Sequence, residues 1–344
     1  MSYQRDFSER VRIGLVGVGS HSYRNILPTL TYLPVELVAI CDLDQVAARK
    51  TARQYGVEAV YGDIEAMLAA GGLDAVLLCV SPQLHPSLAV KVLSAGLHVW
   101  MEKPAATCAA DVQKMLDARG DRVCVVGYKK AFMPAARKAV ELLALPESGK
   151  LISLLATYSM SIPRSKPGET SKWMIDGCHP IALMLELGGP VEAVTTLRGA
   201  HGGGSLILHY ESGAIGNLHL AEGVPTFQPS ERYVAYTEKS SITIDNVATV
   251  IYQRGIPFTY RTGTSFAPAG TDSGAVVWQA QNTMNTLENK AEFLQGLYGE
   301  LRHFTDCIQA GSPATIGTLE SALAVGRIYE AALASDGGRV ALAG

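Results

Sequence analysis

The feature that most constrains the fold is a regular alternation of apolar strands and helices over the first third of the chain. The alternation begins with the β-branched run Val11–Val18 and ends with the short run Val123–Val126. Between them we predict strands and helices at Glu36–Cys41, Gln45–Tyr55, Ala59–Tyr61, Ile64–Ala70, Ala75–Val80, Pro86–Ala95, Val99–Met101 and Asp111–Arg119. Such an alternation predicts a doubly wound parallel sheet with right-handed crossovers.

A glycine-rich turn follows the first predicted strand. The turn matches the pattern G-x-G-x-x-G except at the last position. It begins at Gly17, continues through Gly19, Ser20 and His21, and ends at Ser22. The two glycines permit a tight turn and let a pyrophosphate approach the backbone at the start of the next helix. Ser22 departs from the pattern, because glycine there allows close packing of helix on strand. The alternative is that the glycines only shape the turn.

Polar side chains also follow the second and fourth predicted strands. Asp42 lies at the distance from the turn where a carboxylate that binds the cofactor ribose is expected. A carboxylate at this position accepts from a 2′-hydroxyl and repels a 2′-phosphate, which favours NAD over NADP. The alternative is that Asp42 and Asp44 only cap the next helix. Ser81 and Pro82 form a second strand-end turn, where the serine is a candidate contact for the nicotinamide half.

The fifth predicted strand stops at Glu102, Lys103 and Pro104. Proline cannot extend a central strand, because it lacks an amide hydrogen and its φ angle is fixed. In open α/β sheets ligands bind beyond the carboxyl ends of the strands, so Lys103 is predicted to lie at the ligand edge.

The pattern changes beyond residue 127. We therefore predict two domains, a dinucleotide-binding domain at residues 1–127 and a substrate-binding α+β domain at residues 128–344. Period-2 runs separated by glycine-rich turns predict a large, mostly antiparallel sheet. The predicted helices are Ala135–Leu145, Lys290–Gln309 and Thr318–Ala334, and the predicted strands are Leu151–Met160, Val191–Leu197, Ser205–Tyr210, Ala214–Leu220, Arg232–Tyr236, Ser241–Ile244, Thr249–Gln253 and Phe258–Arg261.

The motifs together resemble the glucose–fructose oxidoreductase, inositol dehydrogenase and rhizopine-catabolism (Gfo/Idh/MocA) family. The residues that carry the resemblance are Gly17, Gly19, Asp42, Ser81, Pro82, His85, Gly96, His98, Glu102, Lys103, Pro104, the run Gly127–Pro134, and the closing segment Glu300–Pro313. The resemblance implies an N-terminal Rossmann domain, an NAD cofactor contacted by these strand-end residues, and terminal helices that return to the first domain.

The resemblance also implies the catalytic residues. His179 matches a family histidine that takes the proton from a substrate hydroxyl, for which a neutral imidazole is suited. Lys103 donates to the same oxygen and stabilises the developing negative charge. Asp176 lies three residues before His179, whereas the family's usual aspartate lies four before it, at Ile175 here. Pro180 favours the first helical turn, which predicts that Asp176 lies just outside the helix.

Further substrate contacts are predicted at Tyr128, Lys129, Tyr158 and Trp173. Lys129 stands where the family often has an amide, and the alternative is a charged pair with Lys130 facing water. A Cys178–His179 metal pair is not favoured, since no second ligand pair has suitable spacing. We therefore predict no metal site.

The sequence thus predicts an NAD-dependent oxidoreductase acting at a secondary carbinol of a sugar, cyclitol or related polyol. One alternative is an NAD-dependent glycosidase that oxidises C3 transiently and eliminates the aglycone. A second is a regulator that binds dinucleotide without catalysis.

Composition excludes several other classes. The net charge is −3, which gives no general attraction to nucleic acid or anionic membranes. No apolar run approaches the roughly 20 residues of a membrane span, and the polar N-terminus has no signal-peptide pattern. Six scattered cysteines without a C-x-x-C pair indicate a reduced, cytoplasmic protein. An antiparallel sheet with one uncovered face predicts a homo-oligomer, either a dimer or a tetramer.

Overall fold

The computed structural model describes residues 7–160, 174, 176–225, 231–255, 274–281 and 290–343. Its helices are α1 (Leu27–Leu30), α2 (Gln45–Tyr55), α3 (Ile64–Ala70), α4 (His85–Ser94), α5 (Ala109–Arg119), α6 (Pro134–Leu143), α7 (Cys178–Gly188), α8 (Ala291–Leu294), α9 (Leu297–Ala310) and α10 (Leu319–Ala334). A π-helical turn precedes α1 at Ser22–Ile26, and a 3-10 turn lies at Lys129–Phe132. In the described part of the chain, no helix is long and apolar enough to span a bilayer.

The chain folds into two compact units. The first comprises Met1–Phe132 and Gly296–Gly326, and the second comprises Met133–Gln295 and Arg327–Gly344. The predicted division lies after residue 127, with terminal helices that return to the first domain, and here Gly296–Gly326 groups with the first unit. The physical reason lies in α9, whose Leu297, Leu301 and Phe304 are buried in the core of the first unit.

The first unit contains a six-stranded parallel sheet. Its strands are β1 (Val11–Val16), β2 (Val35–Cys41), β3 (Ala59–Tyr61), β4 (Ala75–Leu78), β5 (His98–Met101) and β6 (Cys124–Val126). Their order is β3-β2-β1-β4-β5-β6, so the order reverses between β1 and β4. A reversal of this kind opens a crevice at the carboxyl ends of the strands, which is where dinucleotides bind in Rossmann folds.

The second unit contains a nine-stranded sheet. Its strands are β7 (Leu151–Met160), β8 (Val191–Arg198), β9 (Gly203–Tyr210), β10 (Ile215–Glu222), β11 (Glu231–Thr237), β12 (Ser240–Asp245), β13 (Thr249–Arg254), β14 (Ala275–Gln279) and β15 (Arg339–Ala341). The order is β14-β13-β12-β11-β7-β10-β9-β8-β15, and β7 with β10 is the parallel pair among otherwise antiparallel neighbours. The predicted combination of a Rossmann sheet with a large, mostly antiparallel sheet is therefore confirmed.

One face of the second sheet carries helices, and the other is open in the part of the chain that the structure describes. Helix α6 contacts β12 and β13, and α7 contacts β7 and β10. Inward side chains such as Leu154 and Ala156 are buried, whereas apolar side chains on the opposite face are exposed. This alternation is the one expected for a sheet with a single core-facing side.

Element bounds follow local signals closely where capping is strong. Helix α2 has the predicted ends, because Asp44 accepts from the amides of Val46 and Ala47, and Gly56 closes the helix in the left-handed region. The predicted helix Lys290–Gln309 is interrupted at Gly296, which has φ 90°. Strands β14 and β15 were not predicted, and the predicted strand Phe258–Arg261 lies outside the described residues.

Candidate active site

The glycine-rich turn has one glycine that the fold requires and one that faces open space. Gly17 has φ +95°, and a Cβ built there would lie 2.3 Å from the carbonyl oxygen of Cys79. A side chain at Gly17 would therefore clash with the end of β4. A Cβ at Gly19 would meet nothing within 4 Å. The two glycines thus fit a turn whose backbone is approached closely by a ligand from the Gly19 side.

Ser22 occupies the position where glycine is usual, and the fold accommodates it. The side chain is buried, and its hydroxyl donates to the carbonyl oxygen of Gly19 over 3.0 Å. This bond lies within the turn that leads into the π-helical segment Ser22–Ile26. The serine therefore fastens the turn to the first helical residues.

Asp42 and Asp44 have separate tasks. Asp44 caps α2, whereas the Oδ2 atom of Asp42 accepts from the amide of Val18 over 2.7 Å. The Oδ1 atom of Asp42 accepts from the amide of Asp44 over 2.8 Å. Asp42 thus connects the end of β2 to the glycine-rich turn. Its side chain does not accept from the first amides of α2, so only Asp44 acts as the cap of this helix.

A cleft of about 660 Å³ lies at this edge of the sheet. Six of the predicted cofactor residues line it, namely Gly17, Gly19, Ser20, His21, Asp42 and Ser81. Leu43, 87% exposed, also lines the cleft and offers an apolar surface beside Asp42. The residues present therefore fit a dinucleotide, with backbone amides at the turn and a carboxylate at the end of β2.

A larger cleft of about 890 Å³ lies at the opposite edge of the same sheet, near the starts of β5 and β6. Its arginines are already engaged, because Arg119 pairs with Glu320 at 2.8 Å and Arg122 pairs with Asp121 at 2.5 Å. Size alone would favour this cleft. We assign the cofactor to the smaller one, because that cleft contains the glycine-rich turn.

Glu102 connects the lysine-bearing strand end to the glycine-rich turn. Its Oε1 atom lies 2.7 Å from Nε2 of His21, and its Oε2 atom accepts from the amide of Lys103 over 3.0 Å. Burial alone would raise the pKa of Glu102. The hydrogen bond from His21, together with the charges of His21 and Lys103, instead holds this pKa below its usual value.

His85 contacts the backbone of the Lys103–Pro104 segment. The imidazole is fully buried, and its Nδ1 atom lies 3.0 Å from the carbonyl oxygen of Pro104. Burial lowers the pKa of His85, which favours the neutral ring. Like Pro82, Glu102 and Lys103, His85 is not among the residues that line the 660 Å³ cleft. His85 and Glu102 are thus placed to position their neighbours, and cofactor contacts for these four residues stay predictions.

Glu300, on α9, is a residue whose role sequence reasoning missed. Its side chain is fully buried, and both carboxyl oxygens are without a hydrogen-bond partner among the described residues. Burial, reinforced by the charge of Glu102, raises the pKa of Glu300 well above its usual value, although Lys129 and Lys103 act in the opposite direction. Burial therefore favours the protonated form of Glu300. An acidic residue within the inward stripe of α9 was the available signal.

The predicted substrate residues of the first unit differ in exposure. Tyr128 is buried at 1% exposure, Lys129 is partly exposed, and Lys130 is buried. Lys129 and Lys130 therefore do not form a water-facing pair of equal exposure. Lys129 is near enough to Glu300 to influence its ionisation.

In the second unit, His179 lies in the first turn of α7. The side chain is 2% exposed, and its backbone amide donates to the carbonyl oxygen of Asp176 over 3.2 Å. Asp176 lies just before the helix, as predicted from Pro180. The hydroxyl of Tyr158 donates to Oδ2 of Asp176 over 3.5 Å. Three predicted site residues are therefore neighbours, whereas Trp173 lies outside the described residues.

A family model described as an oxidoreductase family with an NAD-binding Rossmann fold, GFO_IDH_MocA, matches residues 11–129. This range contains the glycine-rich turn, Asp42 and the Glu102–Lys103–Pro104 motif. Residues 11–129 thus form an NAD-binding domain of the Gfo/Idh/MocA oxidoreductase family. The predicted family and the predicted class, an NAD(P)-dependent oxidoreductase, are thereby confirmed.

Proteins similar to this chain include sugar and cyclitol dehydrogenases. D-xylose 1-dehydrogenase (NADP(+)) 2 from Haloferax volcanii is 27% identical over 230 residues, which are 62% of this chain and 70% of the relative. Inositol 2-dehydrogenase from Salmonella typhimurium is 29% identical over 148 residues, which are 41% of this chain and 43% of the relative. The second alignment thus covers less than half of either protein.

The fold of the whole chain also has solved counterparts. A dehydrogenase from Chromobacterium violaceum superposes with a TM-score of 0.81 at 24% identity, covering 95% of this chain and 96% of the other. At that identity the likeness supports the fold alone.

Proposed function

We propose that this protein is an NAD-dependent oxidoreductase that acts at a secondary carbinol of a sugar, cyclitol or related polyol. The observation that best supports the proposal is the environment of Lys103. The strand end that carries Lys103 is connected to the glycine-rich turn by the contact of Glu102 with His21. Lys103 also directly follows Glu102, a carboxylate whose pKa is lowered. The names of the xylose and inositol dehydrogenases support the substrate class.

The roles of the protein's own residues follow from their chemistry. The nicotinamide cofactor, when bound, supplies the hydride acceptor. Lys103 donates a hydrogen bond to the substrate oxygen and stabilises negative charge as it develops there. His179 takes the hydroxyl proton, which a neutral imidazole does readily near neutral pH. Asp176 lies three residues before His179 and favours the protonated ring once it forms.

We propose further that the cofactor is NAD rather than NADP. Asp42 lines the cleft beside Asp63 and Glu65, so negative charge surrounds the expected position of the adenosine ribose. Lys91, also in the cleft, is paired with Glu65. An added 2′-phosphate would therefore lie close to the carboxylates of Asp42 and Asp63.

Replacement of Asp42 by asparagine is expected to change cofactor preference. The neutral amide keeps the shape of the side chain but loses a charge-assisted hydrogen bond, so the Kd for NAD should rise about tenfold. The Kd for NADP should fall, because the repulsion weakens. Calorimetric titration with both cofactors measures the ratio. Asp44→Asn is the matched control, since Asp44 caps α2, and an equal change in both variants would contradict the ribose role.

The proposed activity is tested by incubating the protein with NAD and a panel of polyols, sugars and glycosides. NADH formation with an oxidised carbohydrate product supports the dehydrogenase. Cleavage of a glycoside without net NADH would replace it with the lytic alternative. Tight NAD binding without any turnover across the panel would favour the regulator and overturn the proposal.

We also propose that two copies associate through the open face of the nine-stranded sheet. Leu155, Ile215 and Tyr236 lie on this face and are 40%, 42% and 46% exposed. Introducing arginine at Leu155 and Tyr236 is expected to convert the assembly to monomers, because buried unpaired charges oppose association. Light scattering after size-exclusion chromatography measures the mass. Val46→Arg, at an exposed site on α2, should leave the mass unchanged. A monomeric wild type would refute the proposal.

A cytoplasmic location stays a proposal. None of the six cysteines is in a disulfide, which suits a reducing compartment.

A further inference from the structure

An acidic side chain occupies a core-facing position of strand β11. Along this strand Glu231, Tyr233 and Ala235 point to the buried side, while Arg232 and Tyr236 are exposed. Glu231 is only 1% exposed. Such positions normally carry apolar residues, because burying a carboxylate is costly unless it is paired. A local exception of this kind is characteristic of a functional site.

Glu231 is part of a pair of phenol–carboxylate contacts. The hydroxyl of Tyr233 donates to Oε2 of Glu231 over 3.1 Å. Directly across the ladder from Glu231 lies Tyr158 of β7, whose hydroxyl donates to Oδ2 of Asp176. Burial, reinforced by these carboxylates, raises the pKa of both phenols well above the usual value. Tyr158 and Tyr233 therefore stay protonated and act as donors.

The two contacts lie beside the start of α7. Asp176 receives the Tyr158 hydroxyl on its side chain and the amide of His179 on its carbonyl oxygen. Cys178 is also near enough to Tyr158 to influence its ionisation. On the remaining side, the amide of Asn246 donates to the carbonyl oxygen of Glu231. Among the residues that the structure describes, the titratable neighbours that these contacts identify are Tyr158, Asp176, Cys178, His179 and Tyr233.

We propose that Glu231, oriented by Tyr233, is a positioning residue for His179 that acts through Tyr158 and Asp176. This inference rests on the proposed function, in which His179 is the proton acceptor. Glu231 fixes the Tyr158 hydroxyl on Asp176 by occupying the opposite position on β11. Its negative charge also stabilises a protonated imidazole at the start of α7, because charges interact strongly in a buried environment.

A purely structural role makes a different prediction. If Glu231 and Tyr233 only set the register of β11 against β7, their replacement would lower thermal stability without altering the titration of His179. The decisive readout is therefore the pH midpoint of the His179 ring, followed by NMR in the full-length protein. His179→Asn assigns its signals among the eight histidines.

In Glu231→Gln the midpoint of His179 is expected to fall by about 0.5–1 pH unit, since one nearby negative charge is removed while the shape is kept. The acid limb of kcat/KM for the polyol should move by the same amount, with KM nearly unchanged. Tyr233→Phe should move the His179 midpoint and the acid limb of kcat/KM in the same direction, by a smaller amount than Glu231→Gln. Glu192→Gln, an exposed position on β8 paired with Arg339, is the matched control and should leave the midpoint unchanged.

An unchanged His179 midpoint in Glu231→Gln would overturn the inference, even if the protein lost stability. If Glu231→Gln fails to fold, the His179 midpoint is measured in Tyr233→Phe instead, and an unchanged midpoint there would overturn the inference. The NMR readout does not depend on turnover. A shifted His179 midpoint in Glu231→Gln, combined with a wild type that oxidises no polyol, would therefore refute the proposed function while supporting the link from Glu231 to His179.

Discussion

Lys103→Met is expected to lower kcat by about 10³-fold, which is the scale on which one preorganised donor stabilises a developing oxyanion. Methionine keeps the length and apolar stem of the side chain but has no ammonium group. The Glu102–His21 contact uses the neighbouring residue, so NAD should bind nearly as in the wild type. The measurement is steady-state turnover of the polyol identified in the panel, alongside a cofactor titration.

Lys114→Met is the control for this prediction, because Lys114 lies on the exposed side of α5 and pairs with Asp111. It should retain wild-type turnover. His179→Asn should lower kcat by about 10²- to 10⁴-fold, the range typical of a lost general base. The losses in the double variant should be smaller than the product of the single losses, because both groups act on one oxygen in the proposed function. Full activity in Lys103→Met would remove that residue from the chemistry.

Glu300→Gln is expected to make the first unit more stable than the wild type, by an amount that grows as pH rises. In the unfolded chain Glu300 titrates near 4.5, whereas burial raises its pKa well above that value in the fold. Between the two values the folded state keeps a proton that the unfolded state releases. In this pH range the ionisation of Glu300 therefore lowers the free energy of unfolding by about 1.4 kcal/mol for each pH unit.

The contribution of Glu300 is fully present below pH 4.5 and is lost as pH rises toward the folded pKa. Glutamine has no such dependence. Urea unfolding from about pH 5 to about pH 9 measures the difference in slope. Glu58→Gln, an exposed position after α2, should follow the wild type. Parallel curves for Glu300→Gln and the wild type would show that Glu300 is ionised in the folded protein.

Features with local causes were predictable from the sequence. The bounds of α2 follow from its cap residues, and Gly17 follows from a turn that leaves no room for a Cβ. The position of Asp176 before α7 follows from proline chemistry. In each case the neighbouring residues alone determine the geometry.

Features with tertiary causes were not predictable. Nothing adjacent to Glu231 in sequence reveals that Tyr158, more than 70 positions earlier, lies opposite it. The same holds for the contact of the Glu102 carboxylate with His21, while the predicted contact of Glu102 with the cofactor stays a prediction. The ionisation of Glu300 depends on strand ends brought together only by the fold. Burial and long-range pairing determine these roles.

The composition of the first unit from two separate stretches of chain has a consequence for synthesis. Its core includes Leu297, Leu301 and Phe304, so the six-stranded sheet emerges from the ribosome long before the helix that completes its packing. In the second unit, β7 pairs with β10 and β11, both of which are synthesised much later. Both units can therefore complete their folding only after distant segments have been synthesised. Until then their apolar strands remain uncovered. Slow translation or truncation before α9 is expected to favour aggregation and dependence on chaperones.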